Sequence, residues 1–234
     1  INMSKKVLKF EELNFKNIVY ETPQKKGQAY FSNMSYKANT PLHVFSPKMT
    51  SLSTFKDIIS SKSSTIDLEV HKKDINFYDF FTNLDLKNVQ ETYNKSKDWF
   101  GKEIPLEQID DMYKRSNKPI KNGEKITISF KLPFYKDKLQ CPIYNQNNEL
   151  IDPENIEIGS DIIICINIKG LKILRSTYYC DIFISQIKIF QKYNKYNLFK
   201  ECVFDKEIDN SYENEDDLID TEYISKLKNE QIIN

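Results

Sequence analysis

The chain is short of several residues that enzymes lean on: it has five glycines, two histidines and one tryptophan in 234 residues. Each shortage removes a class of function. A phosphate-cradling loop is built from glycine, and neither G-x-x-x-x-G-K-[ST] nor G-x-G-x-x-G occurs. His43 and His71 alone supply imidazoles for proton transfer near neutral pH. Neither H-E-x-x-H nor the serine elbow G-x-S-x-G is present. Cys141, Cys165, Cys180 and Cys202 are spaced by 24, 15 and 22 residues. That spacing lacks the close pairs of a structural zinc site and is read as reduced thiols packed among strands. The adjacent carboxylates Asp110-Asp111 and Asp216-Asp217 do not share a helix face and are read as solvated. No catalytic residue, metal or cofactor is therefore expected, and the chain is not expected to be an enzyme.

Long apolar runs are also lacking. Ile162 to Ile166 is far shorter than the ~20 residues of a membrane helix, and the N-terminus has no apolar signal core. The expectation is a soluble, intracellular, unsecreted protein with no membrane partner.

An excess of one charge is missing overall, with 34 Lys+Arg against 34 Asp+Glu. The balance hides an asymmetry. Up to residue 200 there are 31 basic and 23 acidic residues, a charge of +8, and beyond it 3 basic and 11 acidic, a charge of −8. A basic body followed by an acidic end is a charge asymmetry that fits a nucleic-acid binder, and equally an ordinary domain with a solvated acidic end. The expected domains are 1–200, a folded body with a helical insertion at about 74–115, and 201–234, an acidic mobile tail.

What is present is alternation. Thr65 to Val70 has the period-two pattern of a half-buried strand, as do Ile126-Ile128-Phe130-Leu132 and Ile162-Ile164-Ile166-Ile168. Short strands are expected at Leu8–Phe10, Ile18–Tyr20, Ala29–Phe31 and Leu42–Phe45, and a last one at Tyr178–Phe190. Gly170 is expected to interrupt the alternation, which Leu171 to Leu174 resume, and Ser51–Ser64 to be a loop. Between Asp74 and Phe100 the period becomes helical. Asp74 is expected to cap a helix, Gly101 to stop it, and Leu86, Val89, Tyr93 and Phe100 to form its apolar face. Trp99 is read as core. Pro105 opens a second helix with Leu106, Ile109 and Met112 on one face. Strands with helices confined to the middle predict a mainly β fold, an antiparallel barrel of the OB-fold kind with a helical insertion.

Single strands are held by basic grooves and by rings on which bases stack. The body interleaves both. Phe134-Tyr135-Lys136-Asp137-Lys138 reads as a loop between strands, Lys172 and Arg175 lead into Tyr178-Tyr179, and Lys188 and Lys192 close the body. Lys136, Lys138, Lys172, Arg175, Lys188 and Lys192 are the candidates for phosphates, and Phe134, Tyr135, Tyr178 and Tyr179 for bases.

The run Ser96-Lys97-Asp98-Trp99-Phe100-Gly101-Lys102, followed by Met112-Tyr113, resembles a pattern of single-stranded-DNA-binding proteins of large nucleo-cytoplasmic DNA viruses. Thr40 to Met49, and Gly159 through Gly170 to Gln186–Phe190, look like that family's other strands. The family is similar to the OB-fold SSB of short-tailed phages. The resemblance implies viral replication, recombination or repair in the host cytoplasm or viral factory, with the nucleus or the virion as other locations. The expected ligand is single-stranded DNA, with RNA second. The tail is expected to compete with DNA and to recruit replication proteins, and a homodimer is a further option. Two departures stand out. Leu171-Lys172-Ile173 follow Gly170 where the family would carry a ring, and the tail closes without a terminal aromatic. The rival reading is a virion structural or protein-interaction component, and a nuclease ranks third.

Overall fold

The computed structural model describes residues 7–37, 40–60, 64–120, 124–136 and 138–190. The chain divides into two units, Ile1–Lys192 and Tyr193–Asn234. All described residues lie in the first, so the tail expected at 201–234 falls outside them.

The first unit opens with β1 (Leu8–Lys9), β2 (Ile18–Tyr20), β3 (Gln24–Lys26), β4 (Ala29–Tyr36) and β5 (Thr40–Phe45). β6 (Met49–Ser51), α1 (Phe55–Ser60) and β7 (Thr65–Val70) follow. The helical insertion is α2 (Asn76–Asn94), α3 (Ser96–Phe100) and α4 (Leu106–Met112), leading into β8 (Tyr113–Lys114) and β9 (Thr127–Lys131). Two-residue strands β10 (Phe134–Tyr135), β11 (Lys138–Leu139) and β12 (Ile143–Tyr144) precede the long pair β13 (Asp161–Ile173) and β14 (Tyr178–Phe190).

Five strands close a barrel, in the order β13–β6–β7–β9–β14 and back to β13. Four of these contacts are antiparallel, whereas β9 meets β14 in parallel at Phe183↔Lys131. A ring with an odd number of strands cannot alternate direction throughout, so one parallel pair is unavoidable. The expected antiparallel barrel and its helical insertion are both present, with that one parallel contact closing the ring.

The alternating isoleucines do what their period predicts. Ile126, Ile128, Phe130, Leu132 and Ile162, Ile164, Ile166, Ile168 all lie in the core. Full burial of such a side chain stabilises by ~1.5–3 kcal/mol.

Three local expectations change, and two others are met. The expected loop at Ser51–Ser64 contains β6's last residue and α1, which opens with a capping box. Thr54 Oγ1 accepts from the Asp57 N–H at 3.1 Å, and the Thr54 N–H donates to Asp57 Oδ2 at 3.0 Å. At Gly170 the expected interruption of the alternating pattern is a register shift, through which β13 continues. Asp74 caps nothing: it ends a 3-10 turn, and the residue before α2 is Ile75, with no side-chain cap. Gly101 does stop α3, at φ 71°.

The third change is the buried face of α2. Leu86, Tyr93 and Phe100 are exposed at 54%, 42% and 36%. The buried face carries Phe77, Phe80, Phe81, Leu84 and Val89 together with Asp85, Asn88 and Thr92. Those three polar residues hide the apolar stripe from a periodicity search. They are buried because they are paired. Asp85 accepts from the Tyr113 hydroxyl at 2.6 Å and from Ser116 Oγ and N–H at 2.7 Å each. Asn88 accepts from the Tyr20 hydroxyl at 2.7 Å and donates to Tyr113 at 2.9 Å. This network ties the insertion to β2 and β8. Trp99 is half-buried and packs against the core.

Candidate nucleic-acid interface

On the outer surface β3, β4, β13 and β14 lie side by side, and their register decides which side chains meet. Phe31 pairs with Gln24 on one side and Lys172 on the other, and Lys172 pairs with Tyr179. A ring, a cation and a ring therefore stand in one row across three strands. Lys172 Nζ lies 5.6 Å from the centroid of Phe31 and 6.0 Å from that of Tyr179. Lys26 flanks Phe31 at 5.7 Å, and Lys131 flanks Tyr179 at 5.2 Å. Lys169, displaced outward at the register shift, sits 4.5 Å from the Phe183 ring.

Phe31, Tyr179 and Phe183 are half-buried, while Lys26, Lys131 and Lys169 are exposed. An exposed cation–ring contact is worth ~0.5–1 kcal/mol, less than the ~1–3 kcal/mol of a base stacked on a ring. A ring of this kind therefore gains more from a stacked planar group than from its lysine. Beside the row, a cleft of about 460 Å³ is lined by Lys114, Arg115, Ser129, Lys131 and Tyr179 among others. Arg115 is engaged by Asp110.

One acid sits among these cations. Asp181 shares a smaller cleft with Lys26, Phe31 and Lys169. Burial pushes its carboxyl above the ordinary carboxylate range, while Lys131, Lys172 and Lys169 pull it the other way.

The candidates named from sequence scatter. Lys172 and Tyr179 stand in the row. Tyr135, Lys136 and Lys138 belong to the hairpin of β10 and β11, not a plain loop, and Tyr135 is 64% exposed with Lys136 Nζ 5.4 Å from its ring. Phe134 packs against the core. Tyr178 is 2% exposed, edge-on to Tyr113 at 4.9 Å. That corrects its reading as a stacking platform, because strand alternation turns it inward where Tyr179 turns outward. Arg175 is exposed at the turn between β13 and β14, lining a second cleft of about 500 Å³ with Tyr30, Trp99 and Phe100. Lys188 lies at the far end of β14, opposite Ile163. Lys192 falls outside the described residues. Lys26, Phe31, Lys131, Lys169 and Phe183 were not singled out by sequence. Phe31 stands on the neighbouring strand β4, opposite Lys172.

Residues 56–206 match a protein family described as "Family of unknown function (DUF5871)". The chain belongs to this family. No curated protein matches this family member. Among solved structures it is similar to the single-stranded DNA-binding protein from bacteriophage Enc34 in C-terminally truncated form, with 14% identity, 76% of this chain and 96% of that one covered, and a TM-score of 0.41. It is similar to the same phage protein in complex with ssDNA at 14% identity, 74% and 96% coverage and a TM-score of 0.41. For the phage protein without stated truncation the figures are 12%, 77%, 96% and 0.40. Among the described residues of this family member, no helix is long and apolar enough to cross a membrane, and no three His, Cys, Asp or Glu residues gather in a metal-binding group.

Proposed function

We propose that the chain is a non-enzymatic protein that binds single-stranded DNA on the outer face of β4, β13 and β14. The observation that carries this reading is the row Phe31–Lys172–Tyr179, in which register sets a cation between two rings. A single strand offers both partners at once, bases to the rings and phosphates to Lys26, Lys131, Lys169 and Lys172. A duplex hides its bases and meets only the lysines.

The wider role proposed is work on viral single strands in replication, recombination or repair, in the host cytoplasm or viral factory. Its support is the likeness of Ser96–Lys102 to the large-virus proteins. The segment 201–234, with 11 acids against 3 bases, is proposed to compete with DNA and to recruit replication proteins. A tethered polyanion acts at a high effective concentration.

The test is oligo-dT binding against salt, by fluorescence anisotropy, for the full chain and a truncation after Lys200. Four lysines on phosphates predict a log–log slope of roughly −3, preference for single over double strands, and tighter binding after truncation. Salt-independent or absent binding overturns the reading. One observation favours a second reading, a virion structural or protein-interaction component: Tyr30, Phe100 and Leu174 are exposed at 48%, 36% and 37% around the 500 Å³ cleft. Absent DNA binding would turn attention there.

A further inference from the structure

The pairing that builds the row at one end of β13 and β14 repeats in altered form at the other end. Phe45 of β5 pairs with Cys165 of β13, which pairs with Gln186 of β14. One step further on, Lys188 pairs with Ile163 on one side and with Tyr144 of β12 on the other. Two rings, an amide and a cation therefore gather around a cleft of about 370 Å³, floored by Ile163 and Cys165. The Phe45 ring is 39% exposed. Lys188 Nζ donates to Asn148 Oδ1 at 2.7 Å, which holds the ammonium at the cleft wall. A further ring lies close by: Lys48 Nζ is 4.3 Å from the centroid of Phe190, and Lys188 Nζ is 5.8 Å from it.

We propose that this cleft is a second nucleotide subsite for the same DNA strand, an inference that rests on the single-strand reading above. Phe45 and Tyr144 take a base, the Gln186 and Asn148 amides face its polar edge, and Lys48 and Lys188 take the flanking phosphates. The chemistry matches the first site, rings with cations beside them, and β13 and β14 stay paired between the two, through two register shifts. Tyr179 and Lys188 are nine residues apart on β14, roughly 30 Å of strand. A short oligonucleotide cannot reach both ends. A longer one lies along the two strands, so its footprint is set by the length of β13 and β14 rather than by the row alone. Two edge-binding amides also make this end more selective among bases than the row, whose rings accept any base.

The experiment measures affinity for an oligo-dT series from about 4 to about 16 nucleotides, the site-size range of single OB folds, using the full chain and the variants Phe45→Ala, Tyr144→Ala and Phe45→Trp. The expected result is a rise in wild-type affinity once the oligonucleotide spans both ends. Each alanine variant loses about tenfold for the longest oligonucleotides and is unchanged for the shortest, while Phe45→Trp retains wild-type behaviour. Unchanged short-oligonucleotide binding also shows that the variants are folded. Equal loss at every length, or no loss at any length, overturns the second subsite and leaves the row intact. Failure of the wild-type chain to bind at any length overturns both readings.

Discussion

A Cβ placed on Gly170 would lie 2.1 Å from the carbonyl oxygen of Ser32. The two backbones meet this closely where β13 passes from β5 to β4 as its partner, and Gly170 takes φ +147° to do so. The shift of β13 against β14 between Ile168 and Gly170 leaves Lys169 unpaired, and the register of β13 against β4 brings Lys172 opposite Phe31. Gly170→Ala is expected to destabilise the fold by about 3 kcal/mol or more, since backbone strain and a backbone clash add. Urea unfolding checks it.

Adjacent tyrosines of β14 are expected to behave oppositely. Tyr179→Ala should lower single-strand affinity by about 1–3 kcal/mol with little change in stability. Tyr178→Ala should cost about 3–5 kcal/mol of stability, because its ring packs on Tyr113 in the core. Paired thermal melts and anisotropy titrations separate the two effects.

Rings and lysines in the row should also separate in salt. Lys172→Ala and Lys131→Ala are each expected to make the slope of log K against log salt shallower by about 0.7. Phe31→Ala should weaken binding at all salt concentrations and leave the slope unchanged.

Asp181 predicts a pH dependence. Its carboxyl titrates above the ordinary range because of burial, so the folded chain holds that proton more tightly than the unfolded chain. The stability this group contributes is present below its unfolded pKa and is lost as pH rises through the raised folded value. Binding follows the same direction, since the ionised carboxylate repels phosphate. Affinity should rise as pH falls through that raised pKa. Asp181→Asn should remove this component and tighten binding at neutral pH by roughly fivefold. A pH series of both chains would show it, and parallel profiles would count against Asp181.

Much of the fold is written in local pattern. Period-two isoleucines mark the barrel strands, the break in period marks the insertion, and Gly101 marks where α3 ends. Local pattern misled where pairing decides burial. Asp85, Asn88 and Thr92 interrupt the apolar stripe of α2, yet they lie inside because Tyr113 and Ser116 satisfy Asp85, Tyr20 and Tyr113 satisfy Asn88, and the Thr92 hydroxyl donates to the Asn88 carbonyl. The capping box at Thr54 and Asp57 was legible in the sequence but masked by the serines around it.

By itself the sequence determined the chemistry available to this protein. Scarce glycine and histidine, a basic body and an acidic end, and rings interleaved with lysines are all properties of composition and order alone. Which rings and lysines meet was decided only by tertiary structure. Phe31 and Lys172 are far apart in the chain, and only antiparallel register across β4, β13 and β14 makes them neighbours. Tyr178 and Tyr179 have the same composition and opposite fates, because one step along a strand reverses the face.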